Sequence, residues 1–321
     1  MAEVSVCIPT YNGARYLRDC LDSVVNQSFR DLEIVVVDDN SSDDTVEIAA
    51  EYAGFDDRIR LYRNPANRGL VGNWNEAIAR GTGQWIKFVF QDDMLTLDCI
   101  AEMHALAQDT GAGFVGCFRH FLFEEGVSDS QQEWYLVHQA FVASLFECPV
   151  ADPVRVRNLC LDHFAQNFVG EPTATLLHRD LFGRYGHFDP AIAHRSDAEF
   201  WCRVGSNVGI AMVPRWLATF RVHAEATTHK NLSNRSFANE MLDPLIMLSR
   251  FLNDPEYAAL RAVATERGVL GKMQRSLAQL GKEAHRIAHE TPASSDSPLW
   301  KEWSRVVSFH PRLQTYGHIE G

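Results

Sequence analysis

Two pairs of adjacent aspartates carry the clearest chemical signal in this 321-residue sequence. Asp38 and Asp39 follow the apolar run 32–37, and Asp92 and Asp93 follow the run WIKFVF. Carboxylate oxygens suit Mg²⁺ or Mn²⁺, ions that keep coordination positions open for substrate phosphates. A carboxylate in a loop with Asn and Ser can also accept hydrogen bonds from a nucleotide. Because Asp, Asn and Ser equally favour caps and turns, each pair alone leaves a structural role open.

Three further side chains lie in contexts that suit catalysis or ligand binding. Asp197 lies in RSDAEFW, an acid-rich helix start, where it would oppose the helix dipole or act as a general base. His223 and Arg221 lie together in FRVH, and each has either a metal or phosphate role or a structural one. The sequence has no zinc-type His/Cys spacing, no Walker loop, no G-x-S-x-G and no G-x-G-x-x-G after the first strand. A zinc hydrolase and a dinucleotide-binding fold are therefore disfavoured.

Alternating strand and helix patterns position these residues at one edge of a sheet. Strands are predicted over 4–8, 32–37, 59–63 and 85–90, with helices over 14–26, 43–52 and 72–80 between them. Later strands are predicted within 113–123, 173–178 and 210–213, and a helix over 200–204. Helical crossovers of this length imply a mostly parallel sheet, which binds ligands beyond the carboxyl ends of its strands. Those ends carry Pro9-Thr10-Tyr11 and both aspartate pairs.

The pattern changes near residue 235, where strand signals stop. From Phe237 onward, apolar residues recur at helical spacing, as at Met241, Leu245, Leu248 and Leu252. We therefore expect an α/β domain over residues 1–235 and a helical extension over 236–321. Acceptor binding and dimerisation are both open roles for this extension.

Composition limits the classes of partner. The formal net charge of −12 argues against a broad nucleic-acid surface. The start MAEVSVCIPTYNG does not resemble a secretory signal, and no apolar stretch has the length of a membrane span. The seven cysteines are scattered and form no C-x-x-C pair, which is typical of reduced thiols. We expect a cytoplasmic protein, with peripheral membrane contact and a homodimer left open.

Taken together and in this order, these segments resemble the inverting glycosyltransferase family 2, which has the GT-A type fold. The opening VSVCIPTYNGARYLRDCLDSVVNQSFRDLEIVVVDDNSSDDT resembles the amino-terminal signature of that family. GQWIKFVFQDDML is similar to its metal-site strand, and NRG at 67–69, GEPT at 170–173 and SDAEFWCRV resemble its later blocks. The resemblance covers about residues 3–225. It implies a Rossmann-like, mostly parallel sheet flanked by helices.

The resemblance also implies roles for individual residues. Pro9, Thr10 and Tyr11 would line a nucleotide pocket and Asp39 would meet the base, with Asp38, Asn67, Gly69, Gln91 and Arg221 completing the nucleotide-binding set. Asp92 and Asp93 would hold Mn²⁺ or Mg²⁺ and Asp197 would be the catalytic base, so that residues 1–235 would form a nucleotide-sugar-binding and catalytic domain. His223 is a further candidate metal ligand because of its own imidazole side chain. The first acidic place of the family's D-x-D element is Phe90 or Gln91 here, so which aspartate touches the metal is open. Ser196 replaces the acid that commonly precedes the base.

The implied activity is transfer of a sugar, with inversion, from a nucleotide-diphosphate sugar to an acceptor hydroxyl in polysaccharide or glycoconjugate biosynthesis. UDP is the commonest carrier in the family, while dTDP and GDP are open. A saccharide, a lipid-linked saccharide and a protein all fit as acceptor. Two alternatives are a nucleotide-sugar-binding protein without transfer activity and a nucleotidyltransferase. The second would need a basic, Gly-rich loop after the first strand, where this sequence has PTYNG.

Overall fold

The computed structural model describes residues 2–164, 166–223, 237–290 and 298–318. A nine-stranded sheet organises the part before residue 223. Its strands are β1 (Val4–Thr10), β2 (Leu32–Asp38), β3 (Ile59–Arg63), β4 (Trp85–Phe88), β5 (Met94–Leu95), β6 (Phe114–Phe123), β7 (Val150–Ala151), β8 (Thr175–His178) and β9 (Ile210–Val222). The order across the sheet is β3-β2-β1-β4-β8-β6-β9-β5, and β7 pairs with β9.

Helices flank the sheet and form the carboxyl-terminal part of the described chain. Those before residue 223 are α1 (Leu17–Val25), α2 (Thr45–Ala53), α3 (Leu70–Arg80), α4 (Cys99–Thr110), α5 (Asp129–Leu145), α6 (Pro153–Asp162), α7 (Asp180–Tyr185) and α8 (Ser196–Val208). Those after residue 237 are α9 (Asp243–Asn253), α10 (Ala258–Glu266), α11 (Leu270–Glu290) and α12 (Pro298–Phe309). Among the helices that the structure describes, none has the length and apolar character needed to cross a membrane.

The predicted alternation of strands and helices in the first ninety residues is confirmed. β1 runs parallel to β2 and to β4, and β2 runs parallel to β3. Beyond β4 the sheet is mixed, because β8 runs antiparallel to both β4 and β6, whereas β6 and β9 are parallel. The sequence pattern did not predict this reversal. A short strand such as β8, with the sequence TLLH, has the same residue pattern whether it runs parallel or antiparallel to its neighbours.

Burial on both faces explains the continuous apolar runs of β1 and β2, in which every residue is buried. On one face, Val6 and Ile8 of β1 pack in a core that includes Leu17 of α1. On the other face, Cys7 packs in a core that includes Trp74 of α3. The sheet is therefore held between helix layers, and its strand ends are free to carry polar side chains.

The helical carboxyl-terminal part predicted from the sequence is confirmed, while the predicted boundary at residue 235 lies outside the described residues. Phe251 of α9 and Leu260 of α10 belong to the same core as β1 and β4. Ala191 and Ile192, which precede α8, pack in a third core with α9, α11 and α12. The division into two domains stays a prediction, but the described helices share apolar cores with residues before 223.

A buried ionic network joins α8 to α9. Arg203 donates to both carboxylate oxygens of Glu199, at 2.8 and 2.9 Å, and both side chains are fully buried. Arg250 of α9 approaches the same carboxylate at 3.0 Å, and the Tyr257 hydroxyl donates to it at 2.8 Å. Burial opposes ionisation of Glu199, but the two arginines outweigh it and hold its pKa below the usual value. The network therefore keeps a charged carboxylate inside the core.

Replacing Arg203 tests how much this network contributes to stability. We expect Arg203→Met to lower the free energy of unfolding by about 3–5 kcal/mol, because it leaves the buried Glu199 charge without its principal partner. Equilibrium unfolding in urea measures the change. Arg18→Met is the matched control, since Arg18 pairs with Glu51 where both side chains are about half exposed (51% and 48%). Equal stability of the two variants would contradict the assigned role.

Candidate active site

A cavity of about 390 Å³ lies at the carboxyl ends of the parallel strands. Its walls come from the ends of β1, β2 and β4, from the start of α3 and from the start of α8. The predicted site residues that line it are Pro9, Thr10, Tyr11, Asp39, Asn67, Gly69, Gln91, Asp92 and Asp197. Asp38, Asp93, Arg221 and His223 do not line it. The strand ends therefore converge as predicted, and the base candidate reaches the same cavity.

Gln91 shapes the cavity by binding the backbone at the end of β1. Its Oε1 accepts from the Tyr11 N–H at 2.8 Å, and its Nε2 donates to the Tyr11 carbonyl at 3.1 Å. Gly13 allows this approach, because a Cβ at that position would lie 2.1 Å from the Gln91 Oε1. Gln91 was predicted to bind the nucleotide. In the structure its amide group instead holds the loop after β4 against the loop after β1.

The adjacent aspartates after β2 have different surroundings. Asp39 lines the cavity, and its carboxylate accepts from the Arg68 N–H at 2.8 Å and the Gly69 N–H at 3.0 Å. It thereby holds the turn that begins α3. Asp38 is fully buried, and its Oδ2 accepts a hydrogen bond from the Ser41 N–H at 2.9 Å. Asp38 therefore stabilises the loop after β2, and it does not reach the cavity, since extended backbone turns successive side chains to opposite sides.

The side chains of Asp92 and Asp93 also lie in different surroundings. Asp92 lines the cavity, and its Oδ2 lies 3.0 Å from the His223 Nε2. Asp93 is fully buried, where one oxygen accepts from the Thr173 hydroxyl at 2.6 Å and the other from the Arg221 N–H at 3.2 Å. Burial, followed by the charge of Asp92, raises the pKa of Asp93 well above its usual value. Asp93 therefore binds protein groups on both oxygens, and Asp92 is the aspartate that faces the cavity.

Arg221, predicted at the nucleotide, is engaged by protein groups behind the cavity wall. Its guanidinium donates to Asp19 at 2.7 Å, to Glu124 at 2.6 Å and to the Asp92 carbonyl at 3.1 Å. It also lies over the Tyr16 ring, 4.6 Å from the centroid. Arg221 therefore fixes the backbone of Asp92 and has its donors occupied before any ligand binds.

Asp197 enters the cavity from the first turn of α8. Burial, followed by the charge of Glu171, raises the pKa of its carboxyl group to about 7. Its Oδ2 accepts from the Asn167 amide at 2.8 Å. A carboxyl group with this pKa is half ionised near neutral pH, so it can take up a proton during a reaction.

Glu171 is a cavity residue that was not among the predicted site residues. It lines the cavity and forms an ion pair with Arg119 of β6, whose side chain is only 3% exposed. Glu171 lies in the GEPT segment that resembled a family block, but only the fold brings it near Asp197. The GEPT segment could therefore have identified Glu171 as a candidate, but its charge partner Arg119 is 52 residues away in the chain.

The cavity is strongly acidic. Among the described residues, those lining it include four carboxylates, Asp39, Asp92, Glu171 and Asp197, and no lysine or arginine. The described residues contain no group of three or more His, Cys, Asp or Glu side chains arranged to hold a metal ion. Asp92 and His223 offer two ligands, and the His223 Nδ1 is buried with no hydrogen-bond partner among the described residues. An ion here would need substrate or water oxygens for its remaining positions.

Comparison with known proteins shows the family. The family described as "Glycosyl transferase family 2" matches residues 5–174, which is more than half of the chain. The chain belongs to this family. A similar protein of Mycobacterium tuberculosis, itself uncharacterised, is 32% identical over 252 residues, which cover 78% of this chain and 76% of that protein.

Solved structures show the same fold. S. aureus TarS in complex with UDP-GlcNAc aligns with a TM-score of 0.63 at 15% identity, over 98% of this chain and 90% of that chain. The mannosyltransferase PcManGT from Pyrobaculum calidifontis, in complex with GDP-Man and Mn²⁺, aligns with a TM-score of 0.58 at 17% identity, over 98% and 83%. The architecture predicted from the resemblance is thus confirmed as the GT-A type.

The support behind Asp92 gives a testable prediction. We expect Thr173→Val to lower the free energy of unfolding by about 1–3 kcal/mol, because it leaves an oxygen of Asp93 and the Phe90 N–H without their partner in a buried site. Urea unfolding measures the loss. Thr265→Val, on the exposed surface of α10, should change stability by less than about 0.5 kcal/mol. An unchanged free energy of unfolding for Thr173→Val would show that this contact does not stabilise the site.

Proposed function

We propose that this glycosyltransferase moves a sugar from a nucleotide-diphosphate sugar to an acceptor hydroxyl with inversion, using Asp197 as general base. One observation carries the proposal. The carboxyl group of Asp197, with its pKa of about 7, lies in the same cavity as the strand-end residues expected to bind the nucleotide. Polysaccharide or glycoconjugate biosynthesis is the process that this activity would serve.

The proposed reaction is a single displacement. Asp197 takes the proton from the acceptor hydroxyl while that oxygen forms a bond to the anomeric carbon. The bond from this carbon to the diphosphate oxygen breaks, and its electron pair leaves with the nucleoside diphosphate. Attack from the face opposite the leaving group inverts the anomeric centre, so no covalent intermediate with the protein is required.

Residues at the strand ends would bind the nucleotide. Pro9, Thr10 and Tyr11 line the cavity on one side, and Asp39 lies at the start of α3. Asp39 would face the base, and the Asn64 amide together with the Arg68 and Gly69 N–H groups would hold its carboxylate in place. UDP is the proposed carrier. The neighbours hold UDP-GlcNAc in one case and GDP-Man in the other, so the panel for any test must include both nucleotides.

Asp92 and His223 are the residues that would hold Mn²⁺ or Mg²⁺. The acidic cavity supports this, because its described lining holds four carboxyl groups and no lysine or arginine, so that a bound diphosphate needs a cation to compensate its charge. When bound, a divalent ion offsets the negative charge that develops on the departing nucleoside diphosphate. Asp93 and Arg221 would act behind this pair by fixing the position of Asp92.

Two other functions make different predictions. A nucleotide-sugar-binding protein would have no need of a carboxyl group with a raised pKa in the cavity. A nucleotidyltransferase would release pyrophosphate, whereas a glycosyltransferase with water as acceptor slowly releases a nucleoside diphosphate. The product of incubation with a nucleotide sugar therefore separates these functions.

Asp197→Asn tests the base directly. We expect kcat for nucleoside diphosphate release from UDP-GlcNAc, UDP-glucose or GDP-mannose with Mn²⁺ to fall by about 10²–10⁴-fold, because general-base catalysis is lost. The KM for the donor should stay within about twofold, since the substitution conserves shape. Asp180→Asn is the control, because the Asp180 side chain is 77% exposed. Release at the parental rate by Asp197→Asn would overturn the assignment.

Thermal unfolding tests the nucleotide and the metal together. We expect UDP with Mn²⁺ to raise the unfolding midpoint, since a ligand at 100 times its Kd stabilises the native state by about 2.7 kcal/mol. Asp92→Asn should lose the Mn²⁺-dependent part of the shift, and the surface variant Asp98→Asn should keep it. A larger shift with GDP would move the donor assignment to GDP-sugars. A shift of equal size with and without Mn²⁺ would contradict the metal site.

A further inference from the structure

The carboxylate of Asp197 has one protein donor on each oxygen. Its Oδ1 accepts from the Ala198 N–H at 2.7 Å, a contact within the first turn of α8. Its Oδ2 accepts from the Nδ2 of Asn167 at 2.8 Å, across 30 residues of sequence. The first contact is local to the helix, so Asn167 supplies the tertiary hydrogen bond that sets the side-chain direction.

The amide of Asn167 can point in only one direction. Its Oδ1 accepts from the Gly170 N–H at 2.8 Å and from the Val169 N–H at 3.2 Å. A reversed amide would place an NH₂ group against these two donors and lose both bonds. The Nδ2 therefore has to face Asp197 and the Gly170 carbonyl, to which it donates at 3.0 Å.

The loop that carries Asn167 is fixed from several sides. The Gly170 carbonyl also accepts from the indole N–H of Trp201 at 2.9 Å, so α8 holds the loop as well as the base. Gly170 has a φ of +128°, and a Cβ there would lie 2.8 Å from the Nη1 of Arg119. Asn167 itself does not line the cavity. It lies on the side of Asp197 away from the cavity and donates one hydrogen bond to its carboxylate.

We infer that Asn167 is a positioning residue for this reaction, whose amide holds the Asp197 carboxylate in the direction needed to receive the acceptor proton. This inference rests on the proposed function, in which Asp197 is the base. A donor to a carboxylate favours its ionised form, and so opposes the effect of burial on that group. The other charged groups acting on Asp197 are Glu171, which precedes the 3₁₀ turn Pro172–Ala174, and Arg119, from β6. His194 lines the same cavity.

Asn167→Asp isolates this hydrogen bond from the structure of the loop. The new carboxylate keeps an oxygen for the Val169 and Gly170 N–H groups, but it replaces the donor to Asp197 with a like charge. Two carboxyl groups at this separation share a proton, so one of them ionises only at higher pH. We expect the acid limb of the pH profile for nucleoside diphosphate release to move up by about one pH unit or more. At pH 7 the rate should fall about fivefold or more, because the ionised fraction of Asp197 falls as its pKa rises from about 7, while the donor KM and the unfolding midpoint stay close to parental.

Two controls complete the experiment. Asn26→Asp adds the same charge at an exposed position at the end of α1 and should leave the profile unchanged. The double variant Asn167→Asp/Asp197→Asn restores an amide–carboxylate pair in reversed order. It should also keep a midpoint close to parental but should not regain the rate, because the carboxylate then lies behind the cavity. A parental pH profile for Asn167→Asp would overturn the inference, and so would a rate loss that is uniform with pH and accompanied by a lower midpoint.

A spectroscopic titration separates this inference from the proposed function. In protein with ¹³C-labelled aspartate carboxyl groups, the resonance of Asp197 is the one missing from Asp197→Asn. Its pKa should rise in Asn167→Asp, whether or not Asp197 acts as base. If that pKa rises but Asp197→Asn retains the parental rate, Asp197 is not the base and the proposed function fails. The effect of the Asn167 hydrogen bond on the Asp197 carboxylate is then still supported. If that pKa does not move, the inference about Asn167 fails alone.

Discussion

The parallel register of β1 with its two neighbours is the constraint on which the site depends. It pairs Thr10 with Asp38 across to β2 and Cys7 with Phe88 across to β4, so three strands end at the same edge. Backbone pairing continues for one residue past the strands, as where the Asp39 N–H donates to the Thr10 carbonyl at 2.8 Å, and the loops beyond use side chains to satisfy polar backbone groups. Tyr11 finds such a partner in Gln91. The cavity thus forms where hydrogen bonding by the sheet stops and hydrogen bonding by side chains takes over.

The sequence predicted this edge well because its signals are local. Apolar runs of five to seven residues identify buried parallel strands, and the polar residues after each run mark the carboxyl ends. Asp39, Asp92 and Asp197 were singled out in this way or by resemblance, and all three line one cavity. The helical nature of the carboxyl-terminal part was also readable, since amphipathic spacing over α9 and α11 requires no knowledge of what the helices pack against.

What the sequence did not predict depends on partners distant in the chain. Which aspartate of a pair faces the cavity is decided by a hydroxyl 80 residues from Asp93. Arg221 was expected at the nucleotide, but Asp19, which is 202 residues away, holds its guanidinium. Asn167 lies in a segment without any motif. Its contact with the base exists only because α8 and the loop before β8 pack together, and no pattern of spacing in one sequence encodes that packing.

The acidic lining of the cavity has a further consequence for how ligands bind. The described lining has four carboxyl groups and no lysine or arginine, which disfavours a diphosphate without a cation, while Asp92 and His223 alone give a divalent ion few ligands. Under the proposed function, each ligand improves the site for the other. Thermodynamic linkage requires the two effects to be equal, so the factor by which the ion tightens nucleotide binding is also the factor by which the nucleotide tightens ion binding. The site then binds the divalent ion and the nucleotide together, although it binds neither of them strongly alone.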